Sequence, residues 1–169
     1  MTLTPVFTDP TIEEMNTRKD KVLALMAKQQ LDSFVITAPD SVYWLTNVAN
    51  YVHERPFILI LASNGELSFV VPKLEVMHVE SRSIGKIKLI TYEEFPFLSQ
   101  ASWDTVFSQE MKRYNRIGIE EVSPHYVAAF VEDKQVSSDL IEQARYVKTA
   151  YELNRIFYSC KIATKAMEL

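Results

Sequence analysis

The apolar positions of the chain change period several times, and each change marks an element. Ile12, Met15, Val22, Leu25 and Met26 recur at helical spacing, which places them on one face of a helix. Asp9-Pro10 ahead of them reads as a cap followed by proline in the first turn. Gln29-Gln30 loses the pattern. Residues 33–37 follow as a short β-branched and apolar strand, stopped by Pro39-Asp40. Residues 41–46 are expected to form a short helix with Asp40 as its cap. Two apolar runs, 57–61 and 67–71, flank Ser63-Asn64-Gly65-Glu66. Asn-Gly between such runs predicts a hairpin, because both turn positions tolerate positive φ.

Pro72 is expected to open a further helix with Leu74, Met77 and His78 on a common side. Residues 86–91 alternate polar and apolar side chains, as a strand with one wet face does. Trp103, Val106, Phe107, Met111 and Tyr114 give a helix stripe, and residues 116–120 a short strand. Pro124 is expected to begin a helix carrying Tyr126, Val127 and Phe130. Helices and strands thus alternate, which predicts an α/β domain: a mixed β-sheet flanked by helices.

Thr149-Ala150-Tyr151-Glu152 has the form of a capping box. Behind it Leu153, Ile156, Phe157, Cys160, Ala163 and Met167 run along one helical face, with no Gly, Asn or Pro terminator before Leu169. Either this helix folds back on its own domain, or it is the first helix of a downstream domain, its apolar stripe meant for a surface this chain lacks. The second is the expectation adopted. It divides the chain into a domain at 1–148 and a linker helix at 149–169.

Composition narrows the function. Of 169 residues, 18 are Lys or Arg and 22 Asp or Glu, for a formal net charge of −4. One domain with a proper core is expected at this length. Without a basic block, nucleic acid is not an expected partner. No run approaches the ~18–20 apolar residues that span a bilayer, and MTLTPVFTDP has no secretory-signal pattern. A single cysteine fits a reducing compartment, so a cytoplasmic location is expected. Gly65, Gly85 and Gly118 are too scattered for a phosphate-cradling loop.

Catalytic constellations are hard to find. His53, His78 and His125 lie far apart in sequence. Glu75-x-x-His78 would share a helix face, but the further carboxylates of a di-metal site are missing, so a solvated helix edge is expected. Glu120 and Glu121, near His125, point to opposite faces if they continue a strand. There is no Gly-x-Ser-x-Gly elbow. Cys160 falls on an apolar stripe and is expected to pack as a small hydrophobe. The exception is Asn50-Tyr51-Val52-His53-Glu54-Arg55-Pro56, which gathers aromatic, titratable and hydrogen-bonding side chains into a loop before a strand. Arg55 could grip a carboxylate in bidentate fashion, and His53 could change charge near neutral pH.

Several motifs succeed one another along the chain: an opening helix with Arg18 and Lys21, then Leu31-Asp32-Ser33-Phe34-Val35-Ile36, then Asp40-Ser41-Val42-Tyr43-Trp44-Leu45-Thr46. After the Asn-Gly hairpin come Pro72-Lys73-Leu74-Glu75 and Arg116-Ile117-Gly118-Ile119-Glu120. In this order, over nearly its whole length, the chain resembles the N-terminal domain of the creatinase/prolidase family. The most specific segment is residues 144–153, whose Arg145, Lys148 and Glu152 match the family's junction into its catalytic domain. Asn47 stands where the family has a glycine.

The resemblance implies a ribonuclease-H-like mixed sheet, and a parent that is a Xaa-Pro dipeptidase or aminopeptidase P type of metallohydrolase, or a creatinase-like amidinohydrolase. In such a parent two divalent ions (Mn, Co or Zn) are held by a downstream domain and activate the hydrolytic water. This chain then carries no catalytic residue, metal ligand or cofactor of its own. Its role becomes homodimer assembly and substrate access, with Tyr51, His53 and Arg55 as candidates to contact a peptide or small-molecule substrate. The alternative is a stand-alone binding or dimerisation module without hydrolase activity.

Overall fold

The computed structural model describes residues 8–50, 55–94, 101–121, 127 and 135–168. Helix α1 (Ile12–Lys28) is capped by Thr11, whose hydroxyl accepts the Glu14 amide at 3.2 Å. The cap is therefore Thr11, not Asp9, and Pro10 precedes the helix. Both types suit the position; Thr11 holds it with a hydrogen bond to the third helical residue. Strand β1 (Ser33–Ile36) leads to α2 (Pro39–Thr46), which begins two residues before the expected start, with Pro39 in its first turn. Asn47 ends α2 at φ 67°. That left-handed position is where glycine commonly sits, and asparagine is its usual substitute, so the helix end keeps its geometry.

Strands β2 (Ile58–Ala62) and β3 (Leu67–Pro72) form the expected hairpin, with Gly65 at φ 85° in the turn. Pro72 ends β3 rather than opening a helix. A 3₁₀ turn (Lys73–Glu75) follows, then α3 (Val76–Arg82). The turn shifts the helical phase, so Val79 is the buried residue while Leu74 and Met77 are exposed. Beyond lie β4 (Lys88–Tyr92), α4 (Trp103–Met111) and β5 (Ile117–Glu120). Val127 is helical and buried; Tyr126 and Phe130 fall outside the described residues. The sequence pattern did not reveal β6 (Gln135–Ser138) or α5 (Leu140–Tyr146). The last described element is α6 (Ala150–Met167).

Among the described residues six strands form one sheet in the order β4-β3-β2-β1-β5-β6. The β1–β2 and β2–β3 pairs are antiparallel, while β3–β4, β1–β5 and β5–β6 are parallel. Helices cover both faces, which is why the central strands read as continuous apolar runs. Phe34, Ile36, Leu59, Leu61, Phe69 and Val71 meet Val22 and Met26 of α1 and Leu140 of α5. The alternate residues Val35, Ile58, Ile60 and Val70 meet Phe107 and Met111 of α4. Gly118 is the point of closest approach: a Cβ there would lie 2.5 Å from Phe34 Cδ2 and 2.6 Å from Leu31 Cδ1. The expected mixed sheet flanked by helices is thus the observed architecture.

Candidate functional site

Two places bring together the residues singled out by the sequence: the root of α6 and the edge beside Arg55.

At the root of α6 the capping box forms as its sequence predicts. Thr149 Oγ1 accepts the Glu152 amide at 3.2 Å, and the Thr149 amide donates to Glu152 Oε2 at 2.7 Å. The box is tied to two other helices. Trp44 of α2 donates from Nε1 to Glu152 Oε1 at 2.5 Å, and the Thr149 hydroxyl donates to Glu14 Oε1 of α1 at 2.8 Å. Arg18 joins all three. Its Nε donates to Glu14 at 2.8 Å, its Nη1 donates to the Trp44 carbonyl at 2.9 Å, and Glu152 lies 3.9 Å away. The guanidinium also stacks near the rings of Trp44 and Tyr151, an arrangement that lets a cation leave water at reduced cost.

Arg18 is 5% exposed. It sits between Met15 and Val22 on the apolar stripe of α1, and a charge in that position was the legible sign of a buried ion pair. For Glu152, burial pushes the carboxyl pKa up, but the Thr149 amide, the Trp44 indole and the Arg18 charge together hold it below its ordinary value.

Beyond its first turn α6 carries no buried residue. Leu153, Ile156, Phe157 and Ile162 are 43–56% exposed. Cys160, expected to pack among them, is exposed as well, because no element of the described structure covers that side. Of the junction residues, Glu152 is central to the network, whereas Arg145 and Lys148 line a cleft beside it.

Arg55 lies just before β2. Its Nε is 3.1 Å from Glu94 Oε1 and its Nη1 is 3.6 Å from Glu75 Oε1. The guanidinium is thus shared between two carboxylates of its own chain. Glu75 belongs to this clamp and is no partner of His78, whose Nε2 lies 3.4 Å from the Ala49 carbonyl. Tyr51 and His53 lie outside the described residues, as does His125.

A third feature escaped the sequence. Glu120, at the end of β5, is 6% exposed and accepts the Thr37 and Ala38 amides at 2.8 and 2.9 Å. Burial raises its pKa; hydrogen bonds from Ala38, Ser41 and Thr37 and the charge of Arg145 oppose the rise. Its function is to hold the turn between β1 and α2.

Among the described residues no three His, Cys, Asp or Glu side chains are grouped to hold a metal ion. No helix among the described residues is long and apolar enough to cross a membrane.

Comparison with known proteins agrees with the geometry. An uncharacterized peptidase of Staphylococcus aureus (strain bovine RF122) is 30% identical over 165 residues, covering 90% of this chain and 43% of that protein. The chain therefore spans less than half the length of that curated relative. The prolidase of Pyrococcus horikoshii superposes with a TM-score of 0.69 at 20% identity, over 89% of this chain and 41% of the prolidase. The N-terminal domain of a Xaa-Pro dipeptidase from Lactobacillus brevis superposes with a TM-score of 0.60 at 13% identity, over 78% of this chain and 99% of that one. The Creatinase/Prolidase N-terminal domain profile matches residues 18–147, and the chain belongs to that family.

Proposed function

We propose that this chain is the non-catalytic N-terminal domain of a Xaa-Pro dipeptidase-type metallohydrolase, and that α6 leads into the catalytic domain. One observation carries the reading: α6 is fastened at its first turn by Glu14, Arg18, Trp44 and Glu152, while the rest of its length has no buried residue. A rigid root with an uncovered apolar side suits a connector whose other surface belongs to the next domain. The prolidase and dipeptidase names of the relatives support the same parent.

In this reading the metal ligands and the hydrolytic chemistry belong to the downstream domain, with Mn, Co or Zn as the ions. The N-terminal domain contributes to homodimer assembly, and the loop at 50–56 contributes to substrate access. Arg55 fastens the end of that loop by pairing with Glu75 and Glu94. The lone cysteine suits a cytoplasmic setting.

The test is to purify this chain and a version extended through the rest of its reading frame, and to assay both on a Xaa-Pro dipeptide with added Mn²⁺. The extended protein is expected to hydrolyse the peptide and the chain alone to leave it intact. Hydrolysis by the chain alone, or none by the extended protein with any of the three metals, overturns the reading.

A further inference from the structure

Beside the root of α6 a cleft of about 400 Å³ opens between α2, the end of α5 and the first turns of α6. Four cations line it: Arg18, Arg145, Lys148 and Arg155. Two carboxylates, Asp40 and Glu152, also line it, so positive charge is in excess. The carboxylates are committed differently. Glu152 already accepts from Trp44 and Thr149, while Asp40 lies exposed in the first turn of α2.

Arg18 is the buried floor of this cleft. Its Nε donates to Glu14 and its Nη1 to Met15 Sδ and the Trp44 carbonyl. Among the described residues Arg145 and Lys148 are in no ion pair, and the Lys148 ammonium donates to the Tyr146 carbonyl at 3.3 Å. Arg155 lies over the Tyr151 ring, 5.7 Å from its centroid.

The remaining walls are aromatic. Tyr43, Trp44 and Tyr151 face the same space, with Ile156 at its edge. A bare inorganic anion would fill little of the volume and leave these rings wet. An anion with a planar or apolar body satisfies both halves of the lining: its charge meets the guanidinium and ammonium groups, and its body covers the rings.

We infer that this cleft is a binding site for a small organic anion, a carboxylate or phosphate carried on a ring or comparable apolar body. The inference does not depend on the peptidase reading. Because the site lies where α6 leaves the domain, an occupant would contact α2, α5 and α6 at once and stiffen the departure of the helix.

The experiment is calorimetric titration of the 169-residue chain with phenyl phosphate, inorganic phosphate and benzyl alcohol, which separate charge with ring, charge alone and ring alone. Phenyl phosphate is expected to bind saturably, about tenfold more tightly than inorganic phosphate, and benzyl alcohol not at all. Lys148→Gln and Arg155→Gln are each expected to weaken phenyl phosphate several-fold and together about tenfold. Lys161→Gln, a charge removed farther along the same helix and outside the cleft lining, is expected to change nothing. Arg145→Gln serves as a further variant should one of the pair fail to fold by circular dichroism.

Equal binding of inorganic and phenyl phosphate would reduce the site to unspecific charge and overturn the inference. An equal loss in Lys161→Gln would do the same, as would no saturable binding at ~10 mM phenyl phosphate, a level weaker than ordinary small-ligand sites. If the extended protein fails to bind phenyl phosphate that the chain alone binds, the cleft is a contact surface for the next domain, and the ligand assignment falls.

Discussion

Trp44 and Glu152, 108 positions apart in sequence, are joined by a 2.5 Å hydrogen bond from the indole Nε1 to the carboxylate. This contact links the second helix to the last and makes the direction of α6 a property of the domain. Trp44→Phe keeps the ring but removes the donor. It is expected to cost about 1 kcal/mol in urea unfolding, the usual net value of one such bond. It should also speed amide exchange in the first turn of α6 while leaving β1–β3 protected.

Arg18→Ala removes the shared cation and leaves Glu14 and Glu152 facing one another across a mostly buried space. The expected loss is about 3–5 kcal/mol, typical of a buried pair stripped of one partner. A urea midpoint close to that of the unsubstituted chain would show that the network is ornamental.

The same network sets an acid limit. The Glu152 carboxyl is held below its ordinary pKa in the folded protein, so its contribution is complete above the unfolded value of about 4.3 and is lost as pH falls through the lower folded value. Exchange at the α6 root should therefore rise on acidification below about pH 4, and Glu152→Gln should flatten that dependence.

Glu120 has the opposite sign. Its folded pKa is raised by burial, so the folded state holds the proton more tightly, and stability falls as pH climbs from the unfolded pKa through the folded one. Glu120→Gln keeps an oxygen for the Thr37 and Ala38 amides and is expected to remove this slope, with equal or greater stability at pH 7. Glu120→Ala removes the carboxylate that both amides donate to and should cost about 1–3 kcal/mol. Melting curves of the three proteins between about pH 4 and 8 read the difference.

How far these features can be seen in the sequence depends on whether local chemistry alone decides them. The Asn64-Gly65 hairpin and the Thr149–Glu152 capping box were legible because a few adjacent residues specify each. The α4 stripe and the two-sided burial of β1, β2 and β3 were legible from period and apolar runs. Strand β6 was not, since Gln135, Val136, Ser137 and Ser138 form a short, mostly polar segment that pairs with β5 at the edge of the sheet among the described residues. The inward face of α3 was misplaced because the 3₁₀ turn at Lys73–Glu75 alters the phase after β3. Arg18, Trp44 and Glu152 could each be read as motif positions, but their meeting is a tertiary event that no spacing encodes. The 50–56 loop showed its chemistry in sequence; the Arg55 clamp needed Glu75 and Glu94 from distant segments.

Gly118 tests the tightness of the sheet. It pairs with Phe34 across β1 and β5, and the nearest side-chain atom to an added methyl would be the Phe34 ring. Gly118→Ala is expected to destabilise the chain by about 1–3 kcal/mol through overpacking. Thermal unfolding of the variant provides the check.

The most direct measurement is amide hydrogen exchange along α6 in this chain and in the protein extended beyond it. If the uncovered side of the helix is an interdomain surface, residues 154–167 should exchange quickly in the chain alone and become strongly protected in the extended protein, with the bonded Thr149 and Glu152 amides protected in both. Equal exchange across 154–167 in the two proteins would contradict the account.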